Sequence, residues 1–425
     1  MTKQTVLPSL RALRPAHGGT CFALHPDGRP VFIRHTLPGE VVDATVTKER
    51  SRLLHADATT IIHASEHRQP HVWPQAGPGG VGGADLGHVK PEYQRIWKTD
   101  VIADQLSRIG GTPTFEAVKE ALGTTALKVE PASGDETGDL RHRRTRVEFE
   151  ITKNRRLAMT RVDSHDLVEI DDMPLADQSL LDLELLGDSP WKRLYRPGKR
   201  VRAIAPNAGG RRIVIGNQTF NSRRRRVRDI ATWSVDYRGL TAQFDVNTHG
   251  FWQTHRSAPS DLVGTVMDFA QVRPGDGVLE LFSGAGLFSY FLAHAVGEHG
   301  RFISLEGSRM AVSDARHNLR SLDTPRDLQV GQINSQTIMQ AWSDLEQRPD
   351  LIVLDPPRSG AGKEILTTIG MIGPERVILV SCDPAAGARD IRDLMARGYA
   401  VTNLRAIDLF PQTHHFEIVT VFSRQ

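Results

Sequence analysis

The chain has 425 residues, 39% hydrophobic and 24% charged, with a net charge of only +3. That balance excludes an intrinsically disordered chain, and the length exceeds what one core spans, so two or three soluble domains are expected. No apolar run reaches the ~20 residues of a membrane span, the start lacks the apolar core of a signal peptide, and the two cysteines, Cys21 and Cys382, exclude a disulfide scaffold and predict a reducing, cytoplasmic setting.

Residues 5 to about 65 alternate apolar and polar side chains between turn signals at 17–19, 25–28 and 38–39. Short strands over 20–24, 30–34, 40–46 and 54–56 predict a small barrel, a module that often binds nucleic acid. Residues 66–90 are dense in Gly, Pro and His and read as a loop. His67, His71 and His88 lie there without regular ligand spacing or a nearby cysteine, so solvated histidines and no metal are expected. A helical pattern runs from 91 to about 122 through Tyr93, Ile96, Val101, Ile102, Leu106 and Ile109, with a break at 110–113.

Residues 125–235 carry the basic clusters. Arg141, Arg143, Arg144 and Arg146 precede the alternating run 147–151, and Lys153, Arg155 and Arg156 follow a hairpin turn. Arg200 and Arg202 belong to a second cluster, and Arg223, Arg224, Arg225, Arg226 and Arg228 to a third. No acidic residue lies between Trp191 and Arg228. Such runs on strands and turns predict a phosphate-contacting surface, with Arg141, Arg143, Arg144, Arg155, Arg200, Arg223, Arg224 and Arg225 as RNA-binding candidates.

From about residue 245, strands over 277–282, 300–305, about 328–330, 351–354 and 377–380 alternate with helical patterns, and a pair over 402–407 and 416–422 closes the run. The fold class is therefore α/β, a doubly wound sheet that binds ligands at the carboxyl ends of its strands. Gly284 and Gly286 follow the first of these strands and open a helix, where glycine permits a tight turn and close backbone approach. Glu306, at the end of the next strand, is placed to hold ribose hydroxyls. This spacing fits a nicotinamide or an S-adenosylmethionine site. Ser289 stands where the phosphate-binding fingerprint has its third glycine, so a cofactor without phosphates is preferred.

Asp355-Pro356-Pro357-Arg358 ends the fourth strand. Amino methyltransferases place an aromatic after the two prolines to stack on the base, and Arg358 removes that wall, so an exocyclic amine is not the expected target. Cys382 ends the next strand, between Ser381 and Asp383. A helix starting near Ala385 would lower its pKa and make it a candidate nucleophile.

Taken in order, Phe251-Trp252-Gln253, the glycine motif 280–286, the Asp-Pro-Pro motif 355–360, Val380 to Pro384 with Ala388-Arg389-Asp390, and the segment 408–417 resemble the RNA uracil-5-methyltransferase family. Tyr93, Gln94 and Lys98 resemble the helix before that family's central insertion, and the N-terminal barrel resembles its TRAM module, an OB-like RNA-binding barrel. The resemblance implies methyl transfer from S-adenosylmethionine to C5 of a uridine, in ribosomal RNA slightly before transfer RNA. Cys382 would add to C6 of the uracil and Glu417 would remove the C5 proton. Gln253, Phe282, Gly284, Glu306, Asn334 and Asp355 would contact S-adenosylmethionine. The base would leave its stack to react, which suits looped RNA.

Some positions depart from the family pattern. Many members hold an iron–sulfur cluster on four cysteines, and Val81, Ala84 and Met173 stand at matching positions here. Two cysteines cannot supply four thiolates, so no iron–sulfur cluster is expected and packing must replace it. His255 stands in place of an Asn, Glu280 of an Asp and Ser283 of a Cys.

The expected organisation is a TRAM-like barrel over 1–66, a basic, mainly β RNA-binding domain over 67–243 and a Rossmann-like methyltransferase domain over 244–425. The helical stretch 91–122 is expected against the last of these, and a monomer without membrane partners is expected. An RNA cytosine-5 methyltransferase would need a second cysteine at the site, and Cys21 lies in the barrel. An RNA-binding protein without catalysis would have no use for Cys382, Glu417 and Asp355 together.

Overall fold

The computed structural model describes residues 5–425. Strands Val6–Arg11, Arg14–Ala16, Thr20–Leu24, Pro30–Arg34, Val41–Arg50 and Leu53–His63 make a six-stranded sheet. Period-two alternation puts Leu10, Ala23, Val31, Ile33, Val42 and Leu54 on one face, and they pack into a small core of their own. Two strands outrun the expected 40–46 and 54–56. Their inward-facing pattern stops near Val46, but backbone pairing continues as an exposed ribbon to Arg50 and Leu53.

A second six-stranded sheet is wholly antiparallel, in the order Leu167–Glu169, Leu157–Thr160, Arg146–Ile151, Arg200–Ile204, Arg212–Ile215, Gln218–Phe220. Its core holds Trp73, Trp191 and Tyr195 together with Val81, Ala84 and Met173. The three positions compared above with cluster cysteines are thus packed apolar side chains. The hairpin Ile230–Tyr237 and Leu240–Asn247 does not join this sheet. It packs Trp233, Val235 and Phe244 into the C-terminal core with Trp252, Leu262 and Phe291. The boundary expected at 243/244 therefore falls inside a strand. Alternation marks a strand but does not say which core it faces.

The C-terminal sheet has eight strands, in the order Arg326–Val330, Arg301–Glu306, Gly277–Leu281, Leu351–Leu354, Arg376–Ser381, Glu417–Arg424, Tyr399–Asp408, Val129–Pro131. The first five are parallel, and Glu417–Arg424 runs antiparallel to both of its neighbours. Leu351–Leu354 is buried at every residue because helices cover both faces. No helix among the described residues is long and apolar enough to cross a membrane.

Helix Pro91–Gln105, a π-helical turn Leu106–Gly110 and helix Thr112–Leu122 pack on this domain against helix Pro384–Met395 and strand Tyr399–Asp408. Lys98 is fully buried, and its Nζ donates to Asp408 Oδ1 at 2.5 Å and to the Phe410 carbonyl at 3.2 Å. Gln94 and Gln412 exchange reciprocal hydrogen bonds, each 2.9 Å. The helix thereby grips the loop 409–416. The N-terminal sheet reaches the same place through Gly19, where φ is +72° and a Cβ would come 3.0 Å from Asp85 Cβ and 3.3 Å from His414 Cβ.

The loop 66–90 differs from the solvated stretch expected. It folds between the first two sheets, so His88 is 2% exposed and His71 partly buried, while His67 stacks on Tyr93 with ring centroids 4.0 Å apart. Glycine and proline content reports loop geometry but not burial.

Removing Lys98 leaves Asp408 buried without its cation. Lys98→Met should destabilise the protein by about 3–5 kcal/mol in denaturant unfolding, and pairing it with Asp408→Leu should recover much of that loss.

Candidate active site

Three strand ends build the site. Leu351–Leu354 delivers Asp355, and Arg376–Ser381 delivers Cys382. Glu417 opens the antiparallel strand beside it, where Ser381 pairs with Ile418, so the register carries Cys382 alongside Glu417. These side chains line a cavity of about 1020 Å³, with Gln253, Phe282, Gly284 and Glu306 on its other walls. The sequence candidates therefore converge, except Asn334.

Asn334 does not line the cavity. It is the N-cap of helix Ser335–Leu345, and its side chain accepts from the Thr337 N–H at 3.0 Å in a capping box. A side chain spent on the cap is turned along its own helix. Its neighbours Gln332 and Ile333 face the cavity instead.

The glycine turn is built as its residues require. Gly284 has φ +55° and Gly286 φ +88°, and a Cβ on Gly286 would lie 3.0 Å from Leu319 Cδ1 and 3.1 Å from Ala315 Cβ. Phe282 also takes a positive φ, +64°, and lines the cavity. Glu306 accepts from the Gly284 N–H at 3.0 Å and the Ser308 N–H at 2.7 Å, so the carboxylate is held at the strand end.

The electrostatics differ from expectation at Cys382. Burial, then the carboxyls of Glu417 and Asp355, push its thiol up to about 12, and only Arg358 pulls the other way. The helix Pro384–Met395 starts where expected, but Asp383 caps it, accepting from Ala385 N–H at 3.0 Å and Ala386 N–H at 2.8 Å. The helix end is thus already satisfied by a carboxylate. That carboxylate also pairs with His17 of the N-terminal sheet at 3.1 Å. Burial would raise Asp383, but His17 and the two backbone donors bring it down to about 2.

The other acids are pushed toward their protonated forms. Burial, then the neighbouring Asp355, pushes Glu417 well above the usual carboxyl range, with Arg358 opposing, and Glu417 Oε2 is buried without a hydrogen-bond partner. Burial raises Asp355 to about 7 and Glu280 to about 8, although the Ser289 hydroxyl donates to Glu280. Burial, then His414 and Arg358, lowers His415 to about 3, so it is neutral beside Arg358, 3.4 Å away.

Several lining residues were not singled out from sequence. Arg358 appeared only as a missing aromatic, yet its charge lowers the proton affinity of both the thiol and Glu417. Phe251 is 73% exposed at the cavity's edge. It entered the sequence reading only as the first residue of the motif 251–253, without a role of its own.

The basic candidates divide. Arg143 is paired with Asp135, and Arg144 donates to the Gly83 carbonyl at 2.5 Å, its pKa pulled down to about 10 by burial. Both are half-buried and committed to acceptors within the protein. A run of arginines looks the same whether its members turn inward or outward. Arg141 pairs with Asp139, and Arg200 with Glu148 at 3.0 Å. Arg155, Arg223, Arg224 and Arg225 lie exposed on tight turns.

A family model described as tRNA (uracil-5-)-methyltransferase matches residues 228–425, and a TRAM domain model matches residues 11–59. An uncharacterized RNA methyltransferase of Streptomyces coelicolor is 37% identical, covering 96% of this chain and 90% of its own. One from Bifidobacterium longum is 34% identical over 98% of this chain and 96% of its own. The fold is similar to that of the Pyrococcus abyssi tRNA (uracil-54, C5)-methyltransferase, solved in complex with S-adenosyl-L-homocysteine. That match has a TM-score of 0.63 and 18% identity, and covers 97% of this chain and 99% of the other. With relatives this similar along nearly its whole length, the chain belongs to the RNA methyltransferase family described by the tRNA (uracil-5-)-methyltransferase model, and it carries a TRAM domain at its N-terminal end.

Proposed function

We propose that this protein methylates C5 of a uridine in RNA, with S-adenosylmethionine as donor, Cys382 as nucleophile and Glu417 as base. The observation that carries the reading is one cavity lined by a thiol and a buried, unpartnered carboxyl on adjacent strands.

The residues fit the donor. Asp355 is a carboxyl without a hydrogen-bonded cation, which suits a ligand bearing positive charge. Gly284 lets a backbone approach closely, Glu306 offers a carboxylate for hydroxyls, and Phe282, Phe288 and Met310 offer apolar walls. S-adenosylmethionine supplies an electrophilic methyl group when bound.

Uracil C5 is a weak nucleophile. The Cys382 thiol and the Glu417 carboxyl each give their proton to solvent, and addition of the resulting Cys382 thiolate to C6 then places electron density on C5 and the adjoining carbonyl. Arg358 favours that thiolate by its charge. Once C5 carries the methyl, Glu417 takes the C5 proton, the C5–C6 double bond re-forms and the Cys382 sulfur leaves. A carboxyl whose burial raises its proton affinity is a stronger base once ionised. Phe251, exposed at the mouth, is placed to stack on a splayed base. The TRAM domain and exposed Arg155, Arg223, Arg224 and Arg225 support an RNA substrate, with ribosomal RNA the first to test and transfer RNA the second.

Cys382→Ala should bind RNA as the wild type does and transfer no label from S-adenosylmethionine; undiminished transfer would overturn the mechanism. Glu417→Gln should slow turnover by about 10²–10⁴-fold. It should also accumulate a covalent protein–RNA adduct, seen as a retarded band on a denaturing gel.

Asp355 binds its proton more tightly folded, with a pKa of about 7, than unfolded, near its ordinary 3.8. Its contribution to stability is complete below the unfolded value and is lost as pH rises through about 7. Asp355→Asn should flatten that part of the stability–pH curve in urea unfolding of the ligand-free protein.

A further inference from the structure

We propose that His35, His71 and His88 form a site for a divalent transition-metal cation of the zinc class, which fastens the N-terminal sheet to the loop 66–90. His35 follows strand Pro30–Arg34 and takes a left-handed φ of 61°. His71 and His88 come from the loop. One ring nitrogen from each lies within 4.8 Å of the other two. His35 Nδ1, His71 Nε2 and His88 Nδ1 are all buried without a hydrogen-bond partner. A single unpaired buried polar atom is costly, and three on neighbouring rings call for a common partner.

The outward nitrogens are already engaged. His88 Nε2 faces the Thr36 carbonyl at 3.4 Å, which makes Nε2 the N–H and leaves the Nδ1 lone pair turned inward. His71 Nδ1 lies 3.1 Å from the Trp73 N–H, and the Ala84 backbone also meets this ring. The Trp73 N–H donates to Nδ1, so binding at His71 Nε2 moves the ring proton to Nδ1 and exchanges the Trp73 contact for the Ala84 backbone. The cations acting on these rings are matched: Arg68 bonds Glu40 twice at 2.6 Å, and Arg34 bonds Asp57 at 2.6 Å. Asp57 and Asp85 add negative charge facing His35. Zinc at about 2.0–2.1 Å from each nitrogen requires only a modest inward turn of the rings, with the fourth position left to water.

The segment between His71 and His88 touches the catalytic loop. Leu86 N–H donates to the Gln412 carbonyl at 3.0 Å, and Asp85 pairs with His414 at 2.8 Å. A metal clip would hold this segment against residues 412–414, just before Glu417.

The test uses the full, tag-free chain, stripped with EDTA and titrated with Zn²⁺ and with Co²⁺. One metal should bind per chain, with a nitrogen-ligated Co²⁺ visible spectrum and a rise of several degrees in Tm. His71→Gln and His88→Gln should each lose both responses while keeping the wild-type circular dichroism. Substoichiometric uptake by the wild type, equal responses in both variants, or a thiolate-to-cobalt charge-transfer band would overturn the proposal. If a variant fails to fold, the wild-type stoichiometry and spectrum decide alone.

Discussion

The buried ion pair between Lys98 and Asp408 is the contact on which the rest of the rim depends. Both side chains are almost fully removed from water, 2.5 Å apart. Burial lowers the Lys98 pKa, and the Asp408 carboxylate opposes that fall. Charges this deep persist only when each answers the other, so the helix Pro91–Gln105 and the loop 409–416 have one arrangement to settle in. Gln94 and Gln412 reinforce it with a second reciprocal pair. The loop held in this way leads directly into Glu417. A helix drawn from the chain's first third therefore aims a carboxyl supplied by its last strand.

Around that rim, local rules of stability are set aside. Glu417, Asp355 and Glu280 are acids in a low-dielectric setting, and Cys382 is a thiol among carboxyls. Burial shifts each toward its neutral form, and the Glu417 carboxyl leaves one oxygen unpaired. Proteins tolerate such groups where chemistry uses them. Arg358 supplies positive charge to both the proposed nucleophile and the proposed base, and neutral His415 leaves that charge undiluted.

The N-terminal TRAM domain is set against this rim rather than trailing from it. His17 reaches Asp383, next to the thiol, and Asp85, in the loop that follows the N-terminal sheet, reaches His414, three residues before Glu417. The TRAM domain and the cavity are thus joined by short polar contacts. The central sheet adds exposed arginines on its turns, while Arg143 and Arg144 are committed to Asp135 and Gly83.

The parallel sheet was legible from the sequence alone, because Leu351–Leu354 and its neighbours are short, continuous apolar runs. The glycine turn at 284–286 and the strand-end positions of Asp355 and Cys382 followed from the same pattern, since covalent order places whatever follows a parallel strand at its rim. Other features became apparent only in the folded chain. Glu417 reaches Cys382 through antiparallel register, and Lys98 reaches Asp408 across 310 residues of sequence. The side of Arg144, the capping role of Asn334, the partner core of the hairpin Ile230–Asn247 and the burial of His71 and His88 depend on which surfaces meet. Periodicity records that a side chain alternates or repeats; what it meets is set by long-range packing, and with it the dielectric and the charges that fix a thiol at about 12 or an acid at about 7.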